Sequence, residues 1–185
     1  MDYSDTHADT PPRPGLRPPA DEGVTALYAE HAVGLIRLGF VMLADRGAAE
    51  DVVQDAFLGL YRNWGRLNDP ANALTYLRTS VLNGCRAALR ARARRDRRDR
   101  AAAAGDGWLQ FDSAEAAVLL SEEHREVLAA VRKLAPRQRE ALMLRYYLGL
   151  SPDETARVMG VSTGTVKSAV SRAIAVVGRA LKEES

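Results

Sequence analysis

Cysteine is almost absent from this 185-residue chain: Cys85 stands alone. A single thiol closes no intrachain disulfide, which points to a reducing compartment. Histidine is also scarce. His7, His31 and His124 lie far apart in sequence, and none has a partner at metal-ligand spacing, so no metal site and no cofactor are expected. A glycine-rich phosphate loop and a nucleophile elbow are both missing, which removes the commonest nucleotide-binding and hydrolase readings. No apolar run looks long enough to cross a membrane. The polar, proline-rich start lacks the apolar core of a secretion signal. A cytoplasmic protein is therefore expected. Lysine is rare as well, with 3 residues against 23 arginines, a bias that fits a GC-rich genome better than it fits a mechanism.

What is present is most informative in the last third, the string Leu150 to Ala173. Ser151 is placed to cap a short helix, with Pro152 at its first position and Asp153 and Glu154 in its first turn. Gly160 supplies the stop, and Ser162 or Thr163 starts a second helix. Along it Val166, Ala169, Val170, Ala173, Ile174 and Val177 recur at helical spacing as one apolar stripe. The other face carries Thr165, Lys167, Ser168, Ser171 and Arg172, short hydrogen-bonding groups and cations with no acid among them. Such a face suits phosphates and base edges, and a helix-turn-helix lays its second helix in the DNA major groove. The same geometry also occurs in ordinary bundles with a solvated face, and charge separates the two readings. Residues 128–182 hold ten Lys or Arg and three Asp or Glu, a net of +7, whereas the whole chain is only +2. That concentration is an electrostatic footprint for nucleic acid.

The rest of the chain divides by composition. Residues 1–23 are rich in Pro, Asp and Thr and read as a disordered tail. Residues 24–95 are helical in pattern. A first helix carries Leu27, Tyr28, His31, Leu35, Leu38 and Met42, and a turn follows at Asp45. A second helix runs from about Ala48 to Trp64, Gly65–Pro70 breaks it, and a third spans roughly Ala71 to Arg95. Residues 96–112 read as a flexible linker, with Trp108, Leu109 and Phe111 as unusual apolar residues within it. The stretch 101–127 holds six acids and one arginine, a net of −5, between two basic stretches. Helices resume near Ser113, and 113–185 forms the second domain. The expected fold is all-α: an N-terminal helical bundle and a C-terminal helix-turn-helix domain, each small and free to move relative to the other.

In the second helix Val53, Phe57, Leu60, Tyr61 and Trp64 form the expected buried stripe. Asp51, Gln54, Asp55 and Leu58 share the opposite side at i, i+3, i+4 and i+7. This string, Ala49 to Trp64, resembles the core-binding helix of bacterial sigma factors. The string Leu134 to Tyr147 resembles the start of their promoter −35 domain, and Thr165 to Ala173 their recognition helix. The three segments occur in the right order across residues 24–182. With only the two outer sigma domains and a short linker, the chain resembles the extracytoplasmic-function (ECF) group of the sigma-70 family.

The resemblance implies a non-catalytic specificity subunit whose partners are core RNA polymerase (its β and β′ subunits), promoter DNA and an anti-sigma factor, with no membrane insertion. It places Asp51, Gln54, Asp55 and Leu58 on a basic coiled coil of the largest polymerase subunit. It assigns Asn68, Asp69, Asn72, Arg78, Asn83, Arg86 and Arg90 to the melted −10 strand. It assigns Thr165, Lys167, Ser168, Ser171 and Arg172 to the −35 duplex. The acidic linker would follow the RNA-exit path. The chain departs from the family at Ala169, where many members carry arginine, and at Gly59 and Gly65, where larger residues are common. Two other readings remain beside this one. An ordinary transcription factor accounts for the C-terminal domain but needs neither the acidic helix nor the basic third helix. A metal-dependent enzyme on nucleic acid finds only the Asp51 and Asp55 pair, with no third ligand or general base nearby.

Overall fold

The computed structural model describes residues 18–67, 69–102 and 122–183, and every regular element among them is helical. Helix α1 covers Ala20–Leu43 and α2 covers Arg46–Asn63. Two short 3₁₀ turns, Trp64–Arg66 and Pro70–Asn72, lead into α3, Ala73–Ala102. The second lobe contains α4, Glu122–Arg132, and α5, Pro136–Leu142, which runs on as one π-helical turn, Met143–Tyr147. Helices α6, Pro152–Met159, and α7, Thr163–Glu183, complete it.

The α1–α2 corner closes on Ala44, whose φ of 55° turns the chain so that its N–H reaches Phe40 O. Asp45 then caps α2 by accepting from the Ala48 N–H at 3.0 Å. Leu35, Leu38 and Met42 from α1, Val53 and Leu60 from α2, and Leu77 from α3 are buried together. Each such side chain contributes about 1.5–3 kcal/mol on burial. Helices α2 and α3 approach closely at Gly84, where a Cβ would lie 2.7 Å from a Val52 methyl. Gly59 faces the Tyr76 hydroxyl, which would stand 3.1 Å from an added Cβ. The departure at Gly59 is thus matched by Tyr76, whereas Gly65 has open space around it.

Helix α1 revises one expectation: by length and composition it is apolar enough to cross a membrane. Its apolar side is instead spent on the core of the first lobe, against α2 and α3. Two boundaries also differ. Helix α1 begins at Ala20, inside the expected tail, and α3 continues through 96–102, where a linker was expected to start. Alanine and arginine are strong helix formers, and no Gly or Pro interrupts that run before Gly105. Residues 1–17 and 103–121, with Trp108, Leu109 and Phe111, fall outside the described residues.

In the second lobe, Leu134, Ala141, Leu144, Val158, Val166 and Ala173 form the centre of the core. The two lobes touch: α1 packs on α4 and α5, and α3 packs on α6. Free movement of one lobe past the other is therefore not what the free chain presents.

Candidate nucleic-acid interface

The helix-turn-helix is held by its own side chains. Ser151 Oγ accepts from the Glu154 N–H at 3.2 Å, and the Glu154 carboxylate accepts from the Ser151 N–H at 2.7 Å, a complete capping box. That backbone hydrogen bond holds the Glu154 carboxyl below its usual range. Gly160, at φ 68°, ends α6 in the left-handed conformation. Ser162, rather than Thr163, caps α7: its Oγ accepts from the Thr165 N–H at 3.2 Å and lies 2.9 Å from Thr165 Oγ1. The Thr163 hydroxyl donates to Asp153 Oδ1 at 2.8 Å, tying the two helices across the turn. Arg145 braces the approach by donating to Leu150 O.

Val166, Ala169 and Ala173 are buried beneath α7, and Thr165, Lys167, Ser168, Ser171 and Arg172 are all exposed. The five residues expected to meet duplex DNA therefore share an open face. Arg172 Nε donates to Ser168 O one turn back, which steadies its guanidinium. Ala169 is only 4% exposed, so this position points into the core and not along the polar face. Ile174 departs from the expected stripe: it is exposed, and lines an open cleft with Tyr146, Val170 and Lys167. Its neighbours Ala173, Val176 and Val177 still meet the core, so Ile174 sits at the edge of the stripe.

On α2, Asp51, Gln54, Asp55 and Leu58 are all exposed, with Leu58 at 52%. Val53, Phe57, Leu60 and Trp64 are buried, as the periodicity predicts, but Tyr61 is not: it is also 52% exposed. Tyr61 sits three residues beyond Leu58 and adjoins its face, so the apolar part of the acidic surface is larger than the sequence indicated. Trp64 is a core residue whose Nε1 donates to Pro18 O at 2.9 Å, tying down the start of α1. Among the described residues no group of three His, Cys, Asp or Glu side chains is placed to hold a metal.

The approach to α3 is organised by Asp69. Its Oδ1 accepts from the Ala71 N–H at 2.9 Å and its backbone O from the Asn72 N–H at 3.0 Å. The Asp69 carboxylate thus serves the turn, while Asn72 is exposed beside it. Asn68 lies outside the described residues. On α3, Asn83 and Arg90 are exposed. Arg78 and Arg86 face the second lobe. Arg78 is within electrostatic reach of Glu154, though burial lowers its pKa. Arg86 grips Glu140, 54 residues away: Nε donates to Oε1 at 2.8 Å and Nη2 to Oε2 at 2.6 Å. Glu140 is 1% exposed, and its hydrogen bonds raise the Arg86 pKa. Beside them burial, reinforced by Glu140, pushes the Cys85 thiol up to about 12, which leaves it unreactive. No local spacing signals the Arg86–Glu140 pair.

These features define a two-lobed helical protein with an exposed acidic face on one lobe and a helix-turn-helix on the other. Comparisons with known proteins specify the class further. The family model for sigma-70 region 2 matches residues 27–95, and that for sigma-70 region 4 matches residues 124–175. The chain is 33% identical over 162 residues to the RNA polymerase sigma-H factor of Pseudomonas aeruginosa, spanning 84% of this chain and 82% of that one. It is 30% identical over 141 residues to the RNA polymerase sigma-E factor of Streptomyces coelicolor, 76% of each chain. Its fold is similar to that of the sigma factor RpoE, solved in complex with the anti-sigma factor NepR from Bartonella quintana, with a TM-score of 0.66 and 24% identity over 85% of this chain and 98% of that one. It is also similar to CnrH, solved with the cytosolic domain of CnrY, with a TM-score of 0.64 and 24% identity over 90% and 96%. The chain belongs to the sigma-70 family of RNA polymerase sigma factors, in its ECF group. It is a promoter-recognising subunit that binds core RNA polymerase and directs transcription initiation.

Proposed function

We propose that the work is divided between the lobes by charge. The acidic face of α2, Asp51, Gln54 and Asp55 with Leu58 as apolar anchor, docks on a basic surface of the polymerase. Carboxylates meeting arginines at the rim and a leucine filling a pocket is a favourable arrangement for such a contact. The acid-free face of α7, Thr165, Lys167, Ser168, Ser171 and Arg172, enters the major groove of the −35 element. Asp69, Asn72, Arg78, Asn83, Arg86 and Arg90, together with Asn68 from the sequence pattern, take the melted −10 strand, where pocket and phosphate contacts offset a few kcal/mol of lost stacking. The chain acts in the cytoplasm with no chemistry of its own and no cofactor, and nucleotidyl transfer belongs to the core enzyme. An anti-sigma factor is a fitting partner, because a protein of similar fold, the RpoE sigma factor, was solved with one.

The observation that carries this reading is the pairing, in one chain, of an exposed acidic face on α2 with an exposed cationic face on α7. A stand-alone repressor needs only the second. The test is reconstitution with sigma-free bacterial core polymerase on fragmented genomic DNA, followed by sequencing of transcript 5′ ends. Discrete start sites sharing two spaced upstream motifs are expected. Duplex binding without any association with core would overturn the reading in favour of an ordinary transcription factor.

A further inference from the structure

The seam between the lobes is built from arginines that the DNA reading assigns elsewhere or that cap the opposite lobe. Arg86 is held by both oxygens of Glu140, and its Nη1 donates to Asn83 Oδ1 at 3.1 Å. Arg139 Nη1 reaches across to Met42 O at the end of α1, at 3.1 Å. The Arg132 guanidinium lies 5.0 Å from the centre of the Phe40 ring. Arg78 faces Glu154. The carboxylate at the centre, Glu140, is the one buried acid among the described residues of the second lobe, and it pairs with the first lobe's arginine.

A buried ion pair is a poor way to make a permanent joint, because apolar side chains of the same volume bind at least as well without a desolvation cost. It is a good way to make a joint that opens, since both groups are soluble when parted. The surroundings supply each with a second partner. Arg137 lies 3.8 Å from Glu140 on the same helix and is well exposed, so it keeps the carboxylate paired after separation. Arg86 presents a planar fork, and a phosphate satisfies that fork in the same bidentate geometry as a carboxylate.

We infer that the Arg86–Glu140 pair is an autoinhibitory latch: in the free chain it closes the second lobe over Arg86 on α3, and a nucleic-acid phosphate displaces Glu140 to open it. The exchange swaps one charge-assisted pair for another, so it runs close to balance and responds to the phosphate offered. It rests on the reading of α3 as a strand-binding edge. The latch itself is a property of the free chain.

The test uses the full-length protein with a donor and an acceptor dye at Arg37→Cys on α1 and Arg179→Cys on α7, both exposed positions. Cys85, buried with a raised pKa, is left unlabelled. Glu140→Gln keeps the shape and removes the charge, and Glu140→Lys turns attraction into repulsion. Both are expected to lower energy transfer between the lobes while circular dichroism reports the same helicity. Both are also expected to tighten binding of a fluorescein-labelled single-stranded 20-mer of mixed sequence, by about tenfold if the closed form holds roughly nine molecules in ten. Adding Arg86→Gln should remove that gain, and titrating the 20-mer into the wild type should lower transfer. Unchanged transfer in both Glu140 variants would overturn the latch. Lowered transfer with unchanged 20-mer affinity would overturn the exchange with phosphate. Neither result touches reconstituted transcription, which tests the proposed function separately.

Discussion

Helices α3 and α7 both carry a line of cations that the proposed function assigns to DNA, but they hold those cations in different states. On α7, Lys167 and Arg172 stand in solvent, and their nearest order comes from their own helix, through Arg172 and Ser168 O. On α3, Arg86 is clasped by a carboxylate of the other lobe and Arg78 is half-buried toward Glu154, while Arg90, one turn beyond Arg86, is exposed. The difference follows from position. Helix α7 packs on α4, α5 and α6 through its apolar stripe and leaves its polar face open. Helix α3 runs through the junction, so its middle turns have protein on two sides. A free surface binds its target at the strength its chemistry allows. A surface already in use binds only after paying for release, and so its affinity depends on what holds it.

That contrast can be tested at the level of single residues. The largest expected effect is Asp55→Arg, which should weaken binding to core polymerase by about 2–5 kcal/mol, the scale of a broken interfacial charge contact. It should leave affinity for −35 duplex unchanged in a gel-shift titration. Loss of both would mean that the lobes do not divide the work. Next is Leu144→Ala, which empties a fully buried site beneath the helix-turn-helix and should cost about 2–5 kcal/mol. If the lobes are clasped in the free chain, calorimetry of this variant should show the second lobe melting first and the first lobe losing stability with it. An unchanged first-lobe transition would separate the lobes energetically.

Lys167→Ala and Arg172→Ala should each weaken duplex binding by about 1–3 kcal/mol and lower the salt slope by about one. Because these side chains are exposed, the loss should be the same in a Glu140→Gln background; coupling between the sites would mean that α7 is also masked. The smallest effect is Ser151→Ala, which removes half of the capping box and should cost about 1 kcal/mol in thermal unfolding. The Ser151 N–H holds the Glu154 carboxyl below its usual range. Such a carboxylate stabilises the fold above its unfolded pKa, and the benefit is lost as pH falls through the depressed folded value. Melting temperature across that acidic window should therefore fall for the wild type and fall less for Glu154→Gln.

Local signals carried most of the architecture. Ser151, Pro152 and Gly160 bound α6 because capping chemistry is written in adjacent residues. The helical period placed Val53, Phe57 and Leu60 in the core correctly. The same period misplaced Tyr61 and Ile174, since a stripe has a soft edge and the neighbouring element decides where burial stops. The end of α3 was read seven residues early because Arg-rich composition resembles a linker, although its helix propensity is high. The recognition helix was legible as a surface because it is a single contiguous segment. The Arg86–Glu140 pair was not, because it joins residues 54 apart through a packing arrangement that no local pattern encodes. Ala169, where many family members carry arginine, is a core position in this chain, as its place in the apolar stripe indicates.

The central claim is that α3 and α7 read separate promoter elements from separate lobes. A photo-crosslinking residue placed at Arg90 in one variant and at Arg172 in another tests it within the reconstituted polymerase–promoter complex. The account predicts that position 172 crosslinks to duplex in the upstream motif and position 90 to the non-template strand in the downstream motif. Crosslinks from both positions to the same element, or the two exchanged, would contradict it.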